Sequence, residues 1–328
     1  MIKKKKDTKQ SPSLWPLSPR AGDADSLSIL AENLQPVFDR IIDDERLDNS
    51  ISPQFTRIYL PLAEWIARKH NDKPIVIGIN GAQGSGKSTI CKILKQLLSQ
   101  AFGKSVIELS IDDLYLSRQR REELANKIHP LFKTRGVPGT HDIQYALKIF
   151  STLLDRSDDL TIKIPVFDKA IDDLLPEQDW LSVNNDVDII LFEGWCVGAQ
   201  AQESDQLQLA VNQLEVIEDA DLIWRTYINK QLNENYQKLF SYIDYQVMLK
   251  VPDMRSIFEW RSLQEKKLAT SCSENESSMK HVMSEQELKR FIMHYERITR
   301  STLEEMPNRA DVVLQLDHHH QVCDVKIK

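Results

Sequence analysis

The sequence predicts an α/β fold: a mainly parallel sheet with helices on both faces. Three observations predict it. Short apolar or β-branched runs alternate with stretches of helical spacing along the 328 residues. One run, Val187 to Phe192, is nearly unbroken in its apolar character, as a strand covered on both faces should be. The segment Gly81-Ala82-Gln83-Gly84-Ser85-Gly86-Lys87-Ser88 reads G-x-x-x-x-G-K-[ST], with a strand pattern before it and a helix pattern after it.

The elements follow in order. Residues 1–21 are polar, with Lys3–Lys6 in a block and Pro12, Pro16 and Pro19 behind it, the composition of a flexible basic tail. Across 22–71, Leu27, Leu30, Leu34 and Phe38, then Ile58, Leu62, Trp65 and Ile66, recur at helical spacing and predict an N-terminal helical extension. Residues 72–328 form the nucleotide-binding domain. Asn71 to Pro74 is a turn into a first strand ending near Ile79, and the second strand is Ser105–Ile111. A polar helical stretch from Gln119 to Lys127 and a Gly- and Pro-containing loop, Thr134–His141, come next. Asp142 stands where a helix cap belongs, before Ile143, Leu147, Phe150 and Leu154. Thr161–Val166 is a third strand, and Ile171–Asp186 reads as an acidic loop. Two helices are expected between Gln206 and Ser241, a strand at Tyr245–Val251 and a helix at Arg255–Ala269. Thr270–Lys280 is Ser/Glu-rich and reads as mobile. Ser284 and Glu287 form a capping box, Asp311–Leu316 is a last strand, and His318–His320 is read as a solvated turn rather than a metal site.

Composition excludes several classes. With 41% apolar and 28% charged residues the chain is globular. A formal net charge of −7 argues against non-specific nucleic-acid binding. Cys91, Cys196, Cys272 and Cys323 are scattered, with no C-x-x-C pair; free thiols and the absence of an apolar leader fit a cytoplasmic protein. No run of about 18 apolar residues predicts a membrane span.

The chemistry starts at the glycine loop. Gly81, Gly84 and Gly86 let the backbone wrap a phosphate, whose charge the loop N–H groups and the helix N-terminus face. Ala82, Gln83, Ser85 and Thr89 complete the loop and first helical turn. Lys87 reaches the β and γ phosphates, and Ser88 offers its hydroxyl to Mg²⁺. ATP and Mg²⁺ are therefore the expected cofactors. Ligands collect at the carboxyl ends of parallel strands, which directs attention to three more segments. In Ser110-Ile111-Asp112-Asp113-Leu114-Tyr115, Asp112 fits either a base for an alcohol nucleophile or a carboxylate supporting Mg²⁺. In Leu191-Phe192-Glu193-Gly194-Trp195, an acid ending an apolar strand fits Mg²⁺ binding. In the helix from Arg255 to Glu265, Arg255 or Arg261 can neutralise charge developing on a transferred phosphoryl group.

The set Ser110 to Tyr115, R-G-V-P-G-T-H-D at 135–142, I-P-V-F-D-K at 164–169, L-F-E-G-W at 191–195 and W-R-S-L-Q-E at 260–265 resembles the D-glycerate 3-kinase family and its bacterial and fungal relatives. These belong with phosphoribulokinase, uridine kinase and pantothenate kinase among the P-loop kinases. The resemblance spans roughly residues 72–317. It implies a three-layer P-loop NTPase sandwich whose five-stranded parallel core has the order 2-3-1-4-5. It implies ATP-dependent transfer to a small, acidic alcohol, most simply D-glycerate. It matches Asp112 to the base, Arg135, His141, Asp142 and Lys169 to the acceptor side, and Arg261 to the lid arginine. Where the plant enzymes carry Tyr and Ser, this chain has Phe167 and Ala170. Where they carry a Gly/Arg loop, it has Ile171-Asp172-Asp173-Leu174-Leu175. The rival readings are the same chemistry on a pantothenate-like or nucleoside acceptor, a non-catalytic ATP-binding protein, or a GTPase. Asn229-Lys230-Gln231-Leu232 lacks the Asp a guanine reader needs.

Overall fold

The computed structural model describes Trp15 and residues 23–44, 51–271 and 283–328. The tail expected at 1–21, Trp15 apart, and most of the expected mobile segment lie outside these residues. In chain order, helix α1 (Asp23–Asp44) and α2 (Leu60–Lys69) precede strand β1 (Ile75–Gly81), α3 (Lys87–Phe102), β2 (Val106–Ser110), α4 (Arg118–Lys127) and α5 (Ile143–Leu154). Four short strands follow, β3 (Thr161–Ile164), β4 (Phe167–Asp168), β5 (Asp173–Leu174) and β6 (Leu181–Asn184). Then come β7 (Ile189–Gly194), α6 (Gln213–Glu218), α7 (Ile223–Gln231), α8 (Gln237–Phe240), β8 (Tyr245–Lys250) and α9 (Met254–Ser271). The chain closes with α10 (Glu285–Glu305), β9 (Val312–Leu316) and β10 (Val322–Ile327).

The central sheet has the order β10-β9-β8-β1-β7-β2. Its first five strands in sequence are parallel and, numbered among themselves, run 2-3-1-4-5. β1 and β7 are buried along their whole length, which is why both read as continuous apolar runs. Alternation along β1 divides the core. Ile77 and Ile79 face α1, α2, α3 and α9 with Phe38, Ile66, Leu94 and Trp260. Val76 faces the other layer with Phe150, Phe192, Trp224 and Tyr236. The N-terminal helices thus share the core of the sheet they precede.

Two expectations need correction, and one strand was missed. Thr161–Ile164 is a strand, but it pairs antiparallel with β6 in a two-stranded sheet outside the core. The acidic stretch 171–186 is not one loop, because it supplies β5, a 3₁₀ turn and β6. The region 206–241 holds two helical segments, as expected: Gln213–Glu218, and an unbroken run from Ile223 to Phe240 whose middle turn, Leu232–Tyr236, is π-helical. Asp219 accepts from the main-chain N–H groups of Trp224 (2.7 Å) and Arg225 (3.2 Å), and Leu222 takes a positive φ, so a new helix starts at Ile223. β10, antiparallel on β9, went unread because its apolar positions are few and a polar turn separates it from the preceding run. The capping box at Ser284 and Glu287 forms with both of its hydrogen bonds. Among the described residues no helix is long and apolar enough to cross a membrane.

Candidate active site

β1, β7 and β2 are neighbours, so the segments leaving their carboxyl ends meet. Between β1 and α3 the loop turns through Gly84 and Gly86, both at positive φ (79° and 90°). A Cβ at Gly86 would meet nothing within 4 Å, so glycine is needed there for conformation and not for space. Lys87 Nζ donates to the Ala82 carbonyl at 3.2 Å. The Ser85 hydroxyl is buried without a hydrogen-bond partner. An unsatisfied buried hydroxyl inside a ring of main-chain N–H groups is what a phosphate-binding loop leaves for its ligand. Gln83 and Thr89 flank the loop half-buried.

Glu193 ends β7, paired with Ile79 on one side and Ser110 on the other. Its buried carboxylate accepts from Ser88 Oγ and Ser110 Oγ, each at 3.0 Å. A carboxylate and a hydroxyl brought together beside a phosphate loop form a hard oxygen set that suits Mg²⁺. Acids crowd here. Burial, then the charge of Glu193, pushes Glu108 up to about 7. Burial pushes Asp113 up to about 6, opposed by a main-chain hydrogen bond from Phe167 and reinforced by Asp112. A region this rich in carboxylate favours a cation.

The 3₁₀ turn after β2 carries Asp112. Burial alone would raise its carboxyl, but Lys169 Nζ at 2.7 Å and the Tyr115 hydroxyl, donating at 2.5 Å, outweigh that and hold it at about 2. Lys87 adds to the same effect, so its charge reaches Asp112. Tyr115 packs against Phe167 and His141, each with ring centroids 4.9 Å away. The Tyr236 hydroxyl accepts from Gly139 N–H at 2.9 Å and lies 2.5 Å from His141 Nδ1, within hydrogen-bond distance. Burial drives His141 down to about 4, so the ring is neutral near pH 7. Its Nε2 is buried with no hydrogen-bond partner. Tyr236 closes a π-helical turn, Leu232–Tyr236, which aims it at the loop.

The loop 135–142 is shaped by Gly136, at φ 112°, where a Cβ would lie 2.4 Å from the Tyr295 hydroxyl. Tyr295 donates to the Arg135 carbonyl (2.8 Å), and Trp195 Nε1 donates to that of Gly136 (2.9 Å). Arg135 is ion-paired with Asp172. The Asp142 carboxylate accepts from Tyr145 N–H to cap α5 and pairs with Arg120, while its main-chain N–H donates to the Leu114 carbonyl at 2.7 Å. Of the acceptor-side candidates, the structure thus groups Arg135, His141 and Lys169 around Tyr115, Phe167 and Asp112, and turns Asp142 to its own helix.

α9 abuts the glycine loop, so that a Cβ at Gly84 would lie 3.3 Å from Trp260 Cβ and 3.6 Å from Arg261 N. Arg261 bonds to Gln264 (2.8 Å) and Glu265 (2.7 Å), with its guanidinium over Phe291. Arg255, 83% exposed, pairs with Glu259 at the solvent face. The histidine turn is not simply solvated. His318 Nδ1 lies 3.0 Å from Ser256 Oγ, and His320 stacks on Trp260 (3.7 Å) and bonds to the Gly84 carbonyl (2.9 Å). The described residues form no cluster able to hold a metal through His, Cys, Asp and Glu alone. Sequence reasoning gave no role to Ser110, Tyr115, Tyr236 and Tyr295, and it quoted Asp172 only as part of the 171–175 stretch. Ser110 and Tyr115 lay inside a quoted motif; Tyr236 and Tyr295 carry no local signal.

A glycine phosphate loop, an acid on the neighbouring strand and a second acid held by Tyr115 and Lys169 define a P-loop protein of the kinase type. The model of the KAP family P-loop domain matches residues 55–246, and the chain belongs to that family. It is 31% identical over 235 residues to the uncharacterized kinase mug58 of Schizosaccharomyces pombe, covering 69% of this chain and 80% of that one. It is 30% identical over 230 residues to the chloroplastic D-glycerate 3-kinase of Arabidopsis thaliana, covering 64% of this chain and 48% of the plant protein. Its fold matches the structure of D-glycerate 3-kinase from Cryptococcus neoformans with a TM-score of 0.65 at 20% identity, over 82% of this chain and 97% of that one.

Proposed function

We propose that the protein transfers the γ-phosphoryl group of Mg·ATP to a hydroxyl of a small acidic alcohol, with D-glycerate as acceptor and 3-phosphoglycerate as product. The observation that carries this reading is the Asp112 constellation. An ionised carboxylate stands within electrostatic reach of Lys87, with a cation, Lys169, already beside it. The named relatives add the acceptor.

Lys87 and the loop amides from Gly81 to Ser88 hold the β and γ phosphates, and Thr89 continues the first turn of α3. Ser88 and Glu193 would hold Mg²⁺, which when bound neutralises phosphate charge. Asp112 accepts the proton of the attacking hydroxyl as the new O–P bond forms and the bond to the β-phosphate oxygen breaks. Its role here is the base, and its second reading as metal support falls to Glu193. A carboxylate held at about 2 is a weak base. An acceptor carboxylate seated between Arg135 and Lys169 draws the ammonium from Asp112 and makes that base stronger as the substrate arrives. Arg261, beside Gly84, adds positive charge over the phosphates. The test is ADP release from Mg·ATP with and without D-glycerate, with pantothenate and uridine as controls. Stimulation by D-glycerate alone, lost in Asp112→Asn, is the expected result. ATP binding with no stimulation by any acceptor would leave a nucleotide-binding protein without this activity.

A further inference from the structure

Both cations of the acceptor side already hold a carboxylate of the chain itself. Lys169 holds Asp112, which the mechanism uses. Arg135 holds Asp172, which it does not. Asp172 lies in the turn between β4 and β5, at φ 55°, and is only partly exposed. Its main-chain oxygen accepts from Arg121 at 2.6 Å and its Oδ2 from the same guanidinium at 3.0 Å. Arg121 is itself buried, tied to the carbonyls of Leu116 (3.2 Å) and Lys133 (2.9 Å). Arg118 donates to the adjacent Ile171 carbonyl and lies 4.0 Å from the Asp172 carboxylate. Three arginines therefore converge on one turn and its single side-chain anion. The Arg135 guanidinium also faces the rings of Phe167 (5.4 Å) and Tyr115 (6.0 Å), the same Tyr115 that bonds to Asp112. The anion held by Arg135 thus sits one aromatic ring from the base.

We infer that Asp172 is an internal stand-in for the acceptor's carboxylate on Arg135, and that it sets the affinity for acidic acceptors. This rests on the proposed acceptor class. A bound acid must displace the Asp172 carboxylate from Arg135, while Arg121 keeps the turn in place through the main chain. Asp172 is thereby a specificity-determining residue. It weakens acids that cannot compete for Arg135, and it leaves neutral alcohols unaffected.

The experiment uses the full chain, as wild type and as Asp172→Asn. Asn adopts positive φ readily and keeps the Arg121 bond to the main chain. Asp172→Gly, free of strain at that φ, is the second variant, and thermal midpoints establish that both fold. D-Glycerate and its neutral counterpart glycerol are titrated calorimetrically, and KM and kcat are measured with Mg·ATP. We expect D-glycerate to bind both variants roughly threefold to tenfold more tightly, as loss of a partly exposed competing ion pair allows, with KM falling alike, kcat retained and glycerol unchanged. Equal or weaker D-glycerate binding in the folded variants overturns the inference. With turnover intact, that result leaves the proposed function standing. Tighter D-glycerate binding without turnover in any form supports the inference about Arg135 and removes D-glycerate as the substrate. No D-glycerate binding by any form overturns both.

Discussion

The two halves of the site are built in opposite ways. On the phosphate side the groups are under-engaged. Lys87 rests on one carbonyl, the Ser85 hydroxyl has no partner, and Gly86 opens onto empty space. On the acceptor side nearly every charge is already matched: Lys169 by Asp112, Arg135 and Arg121 by Asp172, Asp142 by Arg120. One half is complete only with a ligand, while the other is a closed network that a ligand must enter by exchange. The difference teaches where stability and function part. Unsatisfied buried groups cost the free protein stability and contribute to binding, whereas a satisfied network holds the fold and moderates affinity.

That contrast can be broken or sharpened by substitution. The largest effect is expected for Lys87→Ala, a loss of roughly 10³-fold or more in kcat, because a phosphate-binding cation acts on charge in the transition state. Its urea midpoint should hardly move, since one hydrogen bond is lost; a large shift would mean the phosphate side also carries the fold. Asp112→Asn should lower kcat by about 10²–10⁴. Near-normal turnover in that variant would remove the base assignment. Arg121→Met, on the acceptor side, should cost about 2–4 kcal/mol of stability in denaturant unfolding by stranding three carbonyls and freeing the 171–173 turn. A cost under 0.5 kcal/mol would make the network ornamental.

A smaller effect belongs to pH. Burial holds His294, on the helix that backs the acceptor loop, down at about 4. The unfolded chain takes up that proton near pH 6.5 and the folded chain does not, so this group's contribution is lost as pH falls from about 6.5 towards 4. Relative to wild type, His294→Gln should therefore gain up to about 1.4 kcal/mol per pH unit across that window. Parallel stability–pH curves would contradict it. The smallest effect is Ser85→Ala. It should leave the free protein within about 0.5 kcal/mol of wild type in a thermal melt, while weakening the stabilisation that Mg·ATP confers.

What the sequence revealed follows the same divide. The phosphate loop is contiguous, its strand and helix flank it directly, and each residue's task is visible in eight letters. Glu193 and Asp112 were legible because each stands at the carboxyl-end side of a strand, where ligands collect in a parallel sheet. The acceptor network was not legible, because its partners are far apart in the chain. Arg121 stands in a run of charges, Arg118-Gln119-Arg120-Arg121-Glu122-Glu123, that reads as a solvated helix face. Only the distant carbonyls of Lys133 and Asp172 make it a buried residue. Lys169 and Arg135 were found by resemblance, but their engagement by Asp112 and Asp172 was not. Tyr236 gains its role from a helical irregularity that no periodicity announces.

The contact between His320 and the Gly84 carbonyl joins residues 236 positions apart. The glycine motif is therefore local in sequence but not in assembly. During folding its backbone can sample many arrangements until β9, β10 and the turn between them arrive to hold one of them. Closing so long a loop is slow compared with forming the strand and helix on either side. The nucleotide cradle, contiguous in the sequence, is by this connection tied to the far edge of the sheet.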